Sequence, residues 1–126
     1  KYFIELSMKK SENVELYSNV SEETKFKLLS VSKVYFNPTP YIEGFGISVV
    51  EGMSAGLIPV TRNKGGVIDF VPKEYMFNEI NEALSKIEYG IKNWNFYSMR
   101  VMKELAEKFS LENYEKNLLD IVSKYL

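Results

Sequence analysis

The run Glu43-Gly-Phe-Gly-Ile-Ser-Val-Val-Glu51 sets two carboxylates eight positions apart, across a glycine-rich loop and the opening turns of an apolar helix. Gly44 and Gly46 let the backbone turn tightly and a ligand come close. The helix that follows offers unpaired N–H groups and the positive end of its dipole to an anion. The backbone N–H groups of Phe45, Gly46 and Ile47 are therefore candidates to cradle a phosphate, a role that needs no side-chain chemistry. The alternative for them is an ordinary tight loop leading into a helix. Glu51 is the only charged side chain from Ile47 to Gly56, among Ile47, Val49, Val50, Met53 and Ala55. The helix is thus expected to be packed on most of its faces, and its carboxylate needs a partner. An ionised glutamate accepts two hydrogen bonds side by side, which suits a vicinal diol such as the 2′ and 3′ hydroxyls of a ribose. Otherwise it serves only as a favourable charge on the helix dipole.

The flanking residues extend the candidate site. Thr39 and Tyr41, in Pro-Thr-Pro-Tyr, either contact a base or ribose or belong to a rigid turn. Gly65 and Gly66 permit another close approach. Arg62 and Lys64 beside them carry positive charge that attracts phosphate or simply solvates the surface. Asp69 reads as a cap or turn residue.

Elements must hold these residues in place. Tyr2 to Met8 and Val14 to Val20 read as two strands joined by a polar connection. Ser21 reads as an N-cap, with Glu22 and Glu23 complementing the dipole of a helix of about ten residues. Val34 to Phe36 reads as a buried strand, residues 38–46 as a loop, Ile47 to Ala55 as a helix closed by Gly56, and Leu57 to Thr61 as the next strand. This β-α-β-α-β order predicts an α/β fold: a Rossmann-like three-layer sandwich with a mostly parallel sheet, in which ligands bind beyond the C-terminal strand ends. The Glu43 loop falls at such an end. Further helices are predicted from Asn81 to Lys92, around Phe96 to Phe109, and from a Ser110 cap to the terminus. The tyrosines and methionines of these last helices repeat at helical spacing and are expected in the core.

Composition excludes several chemistries. The 126 residues fit one domain, residues 1–126, and 45% apolar with 26% charged residues is ordinary globular composition. A net charge of −1 argues against a nucleic-acid partner. Cysteine and histidine are both absent. That removes disulfides, thiolate metal sites and the commonest general base, so an acid or base must be a carboxylate, lysine or tyrosine. Only Asp69 and Asp120 are aspartates, so no Asp-x-Asp pair exists and no metal or other cofactor is expected. No apolar run reaches the length of a membrane span, and the N-terminus is not signal-like, so the chain is expected to be soluble and cytoplasmic.

The run from Asn37 to Val60, followed by Gly65-Gly66, resembles the donor-binding C-terminal half of retaining GT-B glycosyltransferases of family 4. Within that family it is most similar to mannosyltransferases that build lipid-linked oligosaccharides, whose motif also reads Phe-Gly-Ile before the second glutamate. A motif this long is far more specific than a lone GxGxxG. The resemblance implies a nucleoside diphosphate sugar as donor substrate. It implies that Glu43 faces the transferred sugar, positioning its hydroxyls or steadying positive charge at the anomeric carbon, and that Glu51 binds the ribose. It further implies transfer of a hexose, with mannose indicated, to a lipid-linked or glycan acceptor.

The chain departs from this family in ways that set further expectations. Complete members carry an Arg and, five residues later, a Lys that neutralise the departing diphosphate. This chain lacks that pair and the acceptor-binding N-terminal half, so it is expected to be inactive alone and to need that half in cis or in trans. Membrane contact is expected only through that half, at the cytoplasmic face. The apolar side of the last helix would then lack a cover, which predicts either self-association or swapped packing. A different class stands beside this reading: a non-catalytic Rossmann-like binding or scaffolding module.

Overall fold

The computed structural model describes residues 2–126. Among the described residues six helices and three strands follow one another: α1 (Tyr2–Lys9), α2 (Glu22–Val31), β1 (Val34–Asn37), α3 (Ile47–Ser54), β2 (Ile58–Arg62), β3 (Met76–Phe77), α4 (Ala83–Asn93), α5 (Phe96–Glu107) and α6 (Leu111–Ser123). Short 3-10 turns at Gly65–Asp69, Lys73–Tyr75 and Ile80–Glu82 link the middle of the chain. The sheet is parallel throughout, in the order β1-β2-β3, with Asn37 opposite Thr61 and Thr61 opposite Met76.

β2 is the central strand, and Ile58, Pro59, Val60 and Thr61 are all buried. A proline there is unusual because it cannot donate to a ladder. The Ile58 N–H points toward the β1 side, to Lys33 O at 2.9 Å, so the next position faces the β3 side. β3 opposes only Thr61 and Arg62, so the missing N–H of Pro59 has no ladder partner to lose.

Strand alternation divides the residues between two helical layers. On one face α4 crosses at Gly90, where an added Cβ would lie 3.2 Å from Val34 and 3.3 Å from Ile58. Val60, Phe77 and Ala83 form a core there, with Val34 and Ile87 packed against it. On the other face α3 crosses at Gly52, where an added Cβ would lie 2.8 Å from the Tyr35 ring. Val49 and Met53 of α3 pack with Met102 and Ala106 of α5 and with Val67, Phe70 and Val71. The three layers are those expected of a Rossmann-like α/β domain.

The N-terminal segment corrects two of the expected strands. Tyr2–Lys9 is a helix, with Glu5 in its first turn and Lys9 in its last, both favourable to the dipole. Val14 to Val20 forms no regular element, and Val14, Tyr17 and Val20 are exposed. Period-two alternation becomes a strand only when a ladder partner is at hand, and β1 takes none from this segment. Glu, Leu, Met and Lys are strong helix formers and decide the conformation of residues 2–9 instead. The third strand of the sheet, Met76–Phe77, lies in a stretch with no strand pattern of its own.

The remaining boundaries match the sequence reading closely. Ser21 caps α2 by accepting from Thr24 N at 3.2 Å, and Gly56, at φ 89°, ends the α3 turn. Ser110 caps α6, accepting from Asn113 N at 3.3 Å. The expected core role of the late tyrosines is corrected: Tyr97, Tyr114 and Tyr125 are exposed, whereas Met102 is buried. β1 is only half-buried, with Phe36 exposed. α6 buries no residue at all.

Candidate functional site

The site begins where β1 and β2 end. Asn37, the last residue of β1, accepts the Thr39 N–H on its Oδ1 at 3.0 Å, an Asx turn that bends the chain off the strand and into the loop of residues 38–46. A cleft opens at this C-terminal edge of the sheet. Asn37, Thr61 and Arg62 line it from the strands, Thr39, Tyr41 and Glu43 from the loop, and Lys64 and Val67 from the chain leaving β2. Five of the residues singled out from sequence, Thr39, Tyr41, Glu43, Arg62 and Lys64, therefore share one cleft.

Gly44, Phe45, Gly46 and Ile47 carry the loop into α3. Gly46 is the N-cap, at φ 93° and ψ 57°, a left-handed conformation that favours glycine, and no side chain caps the helix. Space also demands glycine here. An added Cβ would lie 2.9 Å from Val67 Cγ1 and 3.7 Å from Glu43 Oε2, so the Glu43 carboxylate lies beside the helix start. The Phe45 ring packs on Phe70 and Phe109 with centroids 5.5 and 5.0 Å away, and Phe70 and Phe109 are themselves 5.1 Å apart. This triangle ties the loop to the segment after β2 and to the junction of α5 and α6.

The close approach that Gly65 and Gly66 permit is an approach to this loop. The Gly66 N–H donates to Glu43 O at 3.0 Å. A Cβ at Gly66 would lie 2.1 Å from Gly44 O, and one at Gly65 would lie 2.5 Å from Glu43 O. The diglycine thus fixes the backbone that carries the Glu43 side chain. Arg62 serves a similar end. Its Nε donates to Pro38 O at 3.1 Å, its Nη1 to Asn78 O at 3.3 Å, and its guanidinium lies over Phe77 at 5.4 Å. It staples the start of the loop to the chain beyond β3, which leaves Lys64 as the other cation on the cleft. Asp69 ends a 3-10 turn.

Glu51 lies about one helical turn further along α3, outside the cleft lining. Its partner is Lys25 of α2, whose Nζ donates to Glu51 Oε1 at 3.2 Å and also pairs with Glu22 Oε2 at 2.9 Å. Hydrogen bonds to Glu22 and then to Glu51 hold the Lys25 ammonium above its ordinary pKa. Glu51 remains half-exposed, and its second oxygen is not engaged by Lys25.

Sequence reasoning did not single out Asn37, Thr61 or Lys25. Thr61 is 2% exposed, and its hydroxyl makes no hydrogen bond among the described residues. A polar residue closing an otherwise apolar strand was the signal available for Asn37 and Thr61. Lys25, in the helix preceding β1, carried none.

With this geometry in view, the family model described as glycosyl transferases group 1 matches residues 4–99, which include all three strands and every loop residue of the site. The chain belongs to the group 1 glycosyltransferases. It is 43% identical over 117 residues to a GDP-Man:Man(3)GlcNAc(2)-PP-Dol alpha-1,2-mannosyltransferase of Dictyostelium discoideum, covering 88% of this chain and 23% of that protein. It is 24% identical over 135 residues to a sucrose synthase of Solanum tuberosum, covering 98% of this chain and 16% of the relative. A sucrose synthase of Melioribacter roseus is 27% identical over 112 residues, covering 79% and 14%. The chain thus spans between 14% and 23% of the length of these curated relatives. The cleft lies at the C-terminal ends of the strands, the edge at which Rossmann-like sheets in general bind ligands. No helix among the described residues is long and apolar enough to cross a membrane.

Proposed function

We propose that this chain is the donor-binding half of a retaining glycosyltransferase that moves a hexose, with mannose favoured, from a nucleoside diphosphate sugar to a lipid-linked or glycan acceptor. The observation that carries this is the joint placement of Glu43, Thr39 and Tyr41 on one cleft beside the uncapped start of α3. In this reading the N–H groups of Phe45, Gly46 and Ile47 hold the distal phosphate, where the helix dipole favours negative charge. Lys64 adds a point charge at the rim. Glu43 is the catalytic carboxylate. From beside the helix start it positions the hydroxyls of the sugar and steadies positive charge developing at the anomeric carbon. Glu51 accepts the ribose hydroxyls with the oxygen Lys25 leaves open, and Tyr41, largely exposed, offers its ring to the base. Gly65 and Gly66 contribute by holding the Glu43 loop at the depth the sugar requires.

The identity of the donor as a mannose nucleotide is supported by the 43% identical relative, whose name specifies GDP-Man. Activation without metal or other cofactor is supported by the absence of histidine and cysteine and by the scarcity of aspartate. We assign the acceptor to a separate N-terminal half, in cis or in trans, because the relatives are several times longer than this chain. We place the enzyme in the cytoplasm, with that half meeting the membrane. The apolar side of α6, where Leu111, Leu118, Leu119 and Val122 are exposed, packs on that half, and in isolation on a second copy of the chain.

Calorimetric titration of Glu51→Gln and Glu43→Gln against the preferred nucleotide and its sugar conjugate tests the assignment. Glu51→Gln should weaken both ligands about equally, by roughly tenfold, because it alters a charge-assisted hydrogen bond to the ribose. Glu43→Gln should weaken only the sugar conjugate. Equal binding of all ligands by both variants would contradict the assignment.

A further inference from the structure

Thr61 is buried in the central strand, and its hydroxyl finds no partner among the described residues. Leaving a buried hydroxyl unpaired is unfavourable, and native structures rarely do so without a reason. The Thr61 backbone sits in the parallel ladder between Asn37 of β1 and Met76 of β3. The register sets Thr61 beside Asn37, and alternation puts both on the face that carries α3 and the glycine loop. Both residues line the cleft that also holds the Glu43 carboxylate.

We infer that the Thr61 hydroxyl is a recognition group for a hydroxyl of the transferred sugar, forming with Asn37 and Glu43 the polyol-binding floor of the cleft. This rests on the donor reading above and specifies which end of the donor lies deepest. The three side chains supply a hydroxyl that donates and accepts, an amide, and an acceptor-only carboxylate. That mixture matches the alternating donors and acceptors of a sugar edge. A diphosphate needs cations and N–H groups, which lie at the helix start and at Lys64. A base needs a flat ring, and Tyr41 is largely exposed. A group as deep as Thr61 is reached only by a small polar substituent entering first.

The test compares wild type, Thr61→Val and Thr61→Ser in titrations with GDP and GDP-mannose, and with UDP and UDP-glucose, alongside melting curves without ligand. Valine keeps the shape of threonine and removes the hydroxyl, whereas serine keeps the hydroxyl. Without ligand, Thr61→Val should melt at or above the wild-type temperature, because no hydrogen bond is lost. The bare nucleotide should bind wild type and Thr61→Val within about twofold of each other. The sugar nucleotide should bind Thr61→Val about tenfold more weakly, as expected for loss of one well-made hydrogen bond, with Thr61→Ser restoring most of the affinity. Unchanged sugar-nucleotide binding by Thr61→Val would show that the hydroxyl meets nothing more than a water, and would overturn the inference while the donor reading stands. A marked fall in its melting temperature without ligand would overturn it by revealing a structural partner. Failure of wild type to bind any of the four ligands would overturn the donor reading, and this inference with it.

Discussion

Lys25 and Glu51 meet across 26 residues of sequence, and this pair is where the electrostatics of the site are most open to measurement. The Lys25 pKa is raised, so whatever stability the pair contributes is fully present below the ordinary lysine value of 10.5 and is lost as pH climbs through the raised one. Lys25→Met should therefore melt below wild type from pH 7 to 9, with the difference shrinking above about pH 10.5. A difference that persists undiminished at pH 11 would place the effect in packing, not charge. Gly66 carries a sharper expectation. With Gly44 O only 2.1 Å from the place of its Cβ, Gly66→Ala must push the Glu43 loop away, at a cost of roughly 1–3 kcal/mol or more in urea unfolding. At this scale the contiguous part of the site was legible: Glu43, the glycines and Tyr41 lie in one short run whose spacing already implies a loop entering a helix. Thr61 and Lys25 were not, because β-sheet register brings Thr61 to the cleft and helix packing brings Lys25 to Glu51, and neither leaves a mark in local spacing.

At the scale of elements, the Phe45, Phe70 and Phe109 rings join the glycine loop to two distant segments. Each such aromatic pair contributes about 0.5–1.5 kcal/mol beyond its buried area. Phe109→Ala removes two of the three pairs. It should speed amide hydrogen exchange at Gly44 to Ile47 in the ligand-free protein, with Phe109→Tyr largely restoring protection. Unaltered exchange in the loop would show that the diglycine alone holds it. The elements that sequence predicted correctly, α2, β1, α3, β2 and the last three helices, each carry a local signal: Ser21 and Ser110 as caps, Gly56 as a stop, Val34-Tyr35-Phe36 as a β-branched and aromatic run. The misread ones lack it. Residues 2–8 alternate like a strand and yet fold as a helix, since alternation has no force without a neighbouring strand. Met76–Phe77 becomes a strand only because β2 presents an edge beside it.

For the whole molecule, the two sides of the sheet are covered by helices, whereas α6 contributes no buried residue and leaves Leu118 and Leu119 46% and 68% exposed. An uncovered apolar stripe of this kind favours association. Sedimentation equilibrium should show concentration-dependent dimers that Leu119→Glu converts to monomers, with the melting temperature of the α/β body little changed. A wild type that stays monomeric at high concentration would contradict the assignment of α6 to an interface. Binding of a sugar nucleotide in the cleft at the C-terminal ends of β1 and β2 is read out by mapping amide chemical-shift changes on titration with GDP-mannose and UDP-glucose. Shifts are expected to concentrate at residues 39–47 and 61–66 and to extend to Glu51 and Lys25. Shifts centred elsewhere, or none at millimolar ligand with the protein folded, would contradict it.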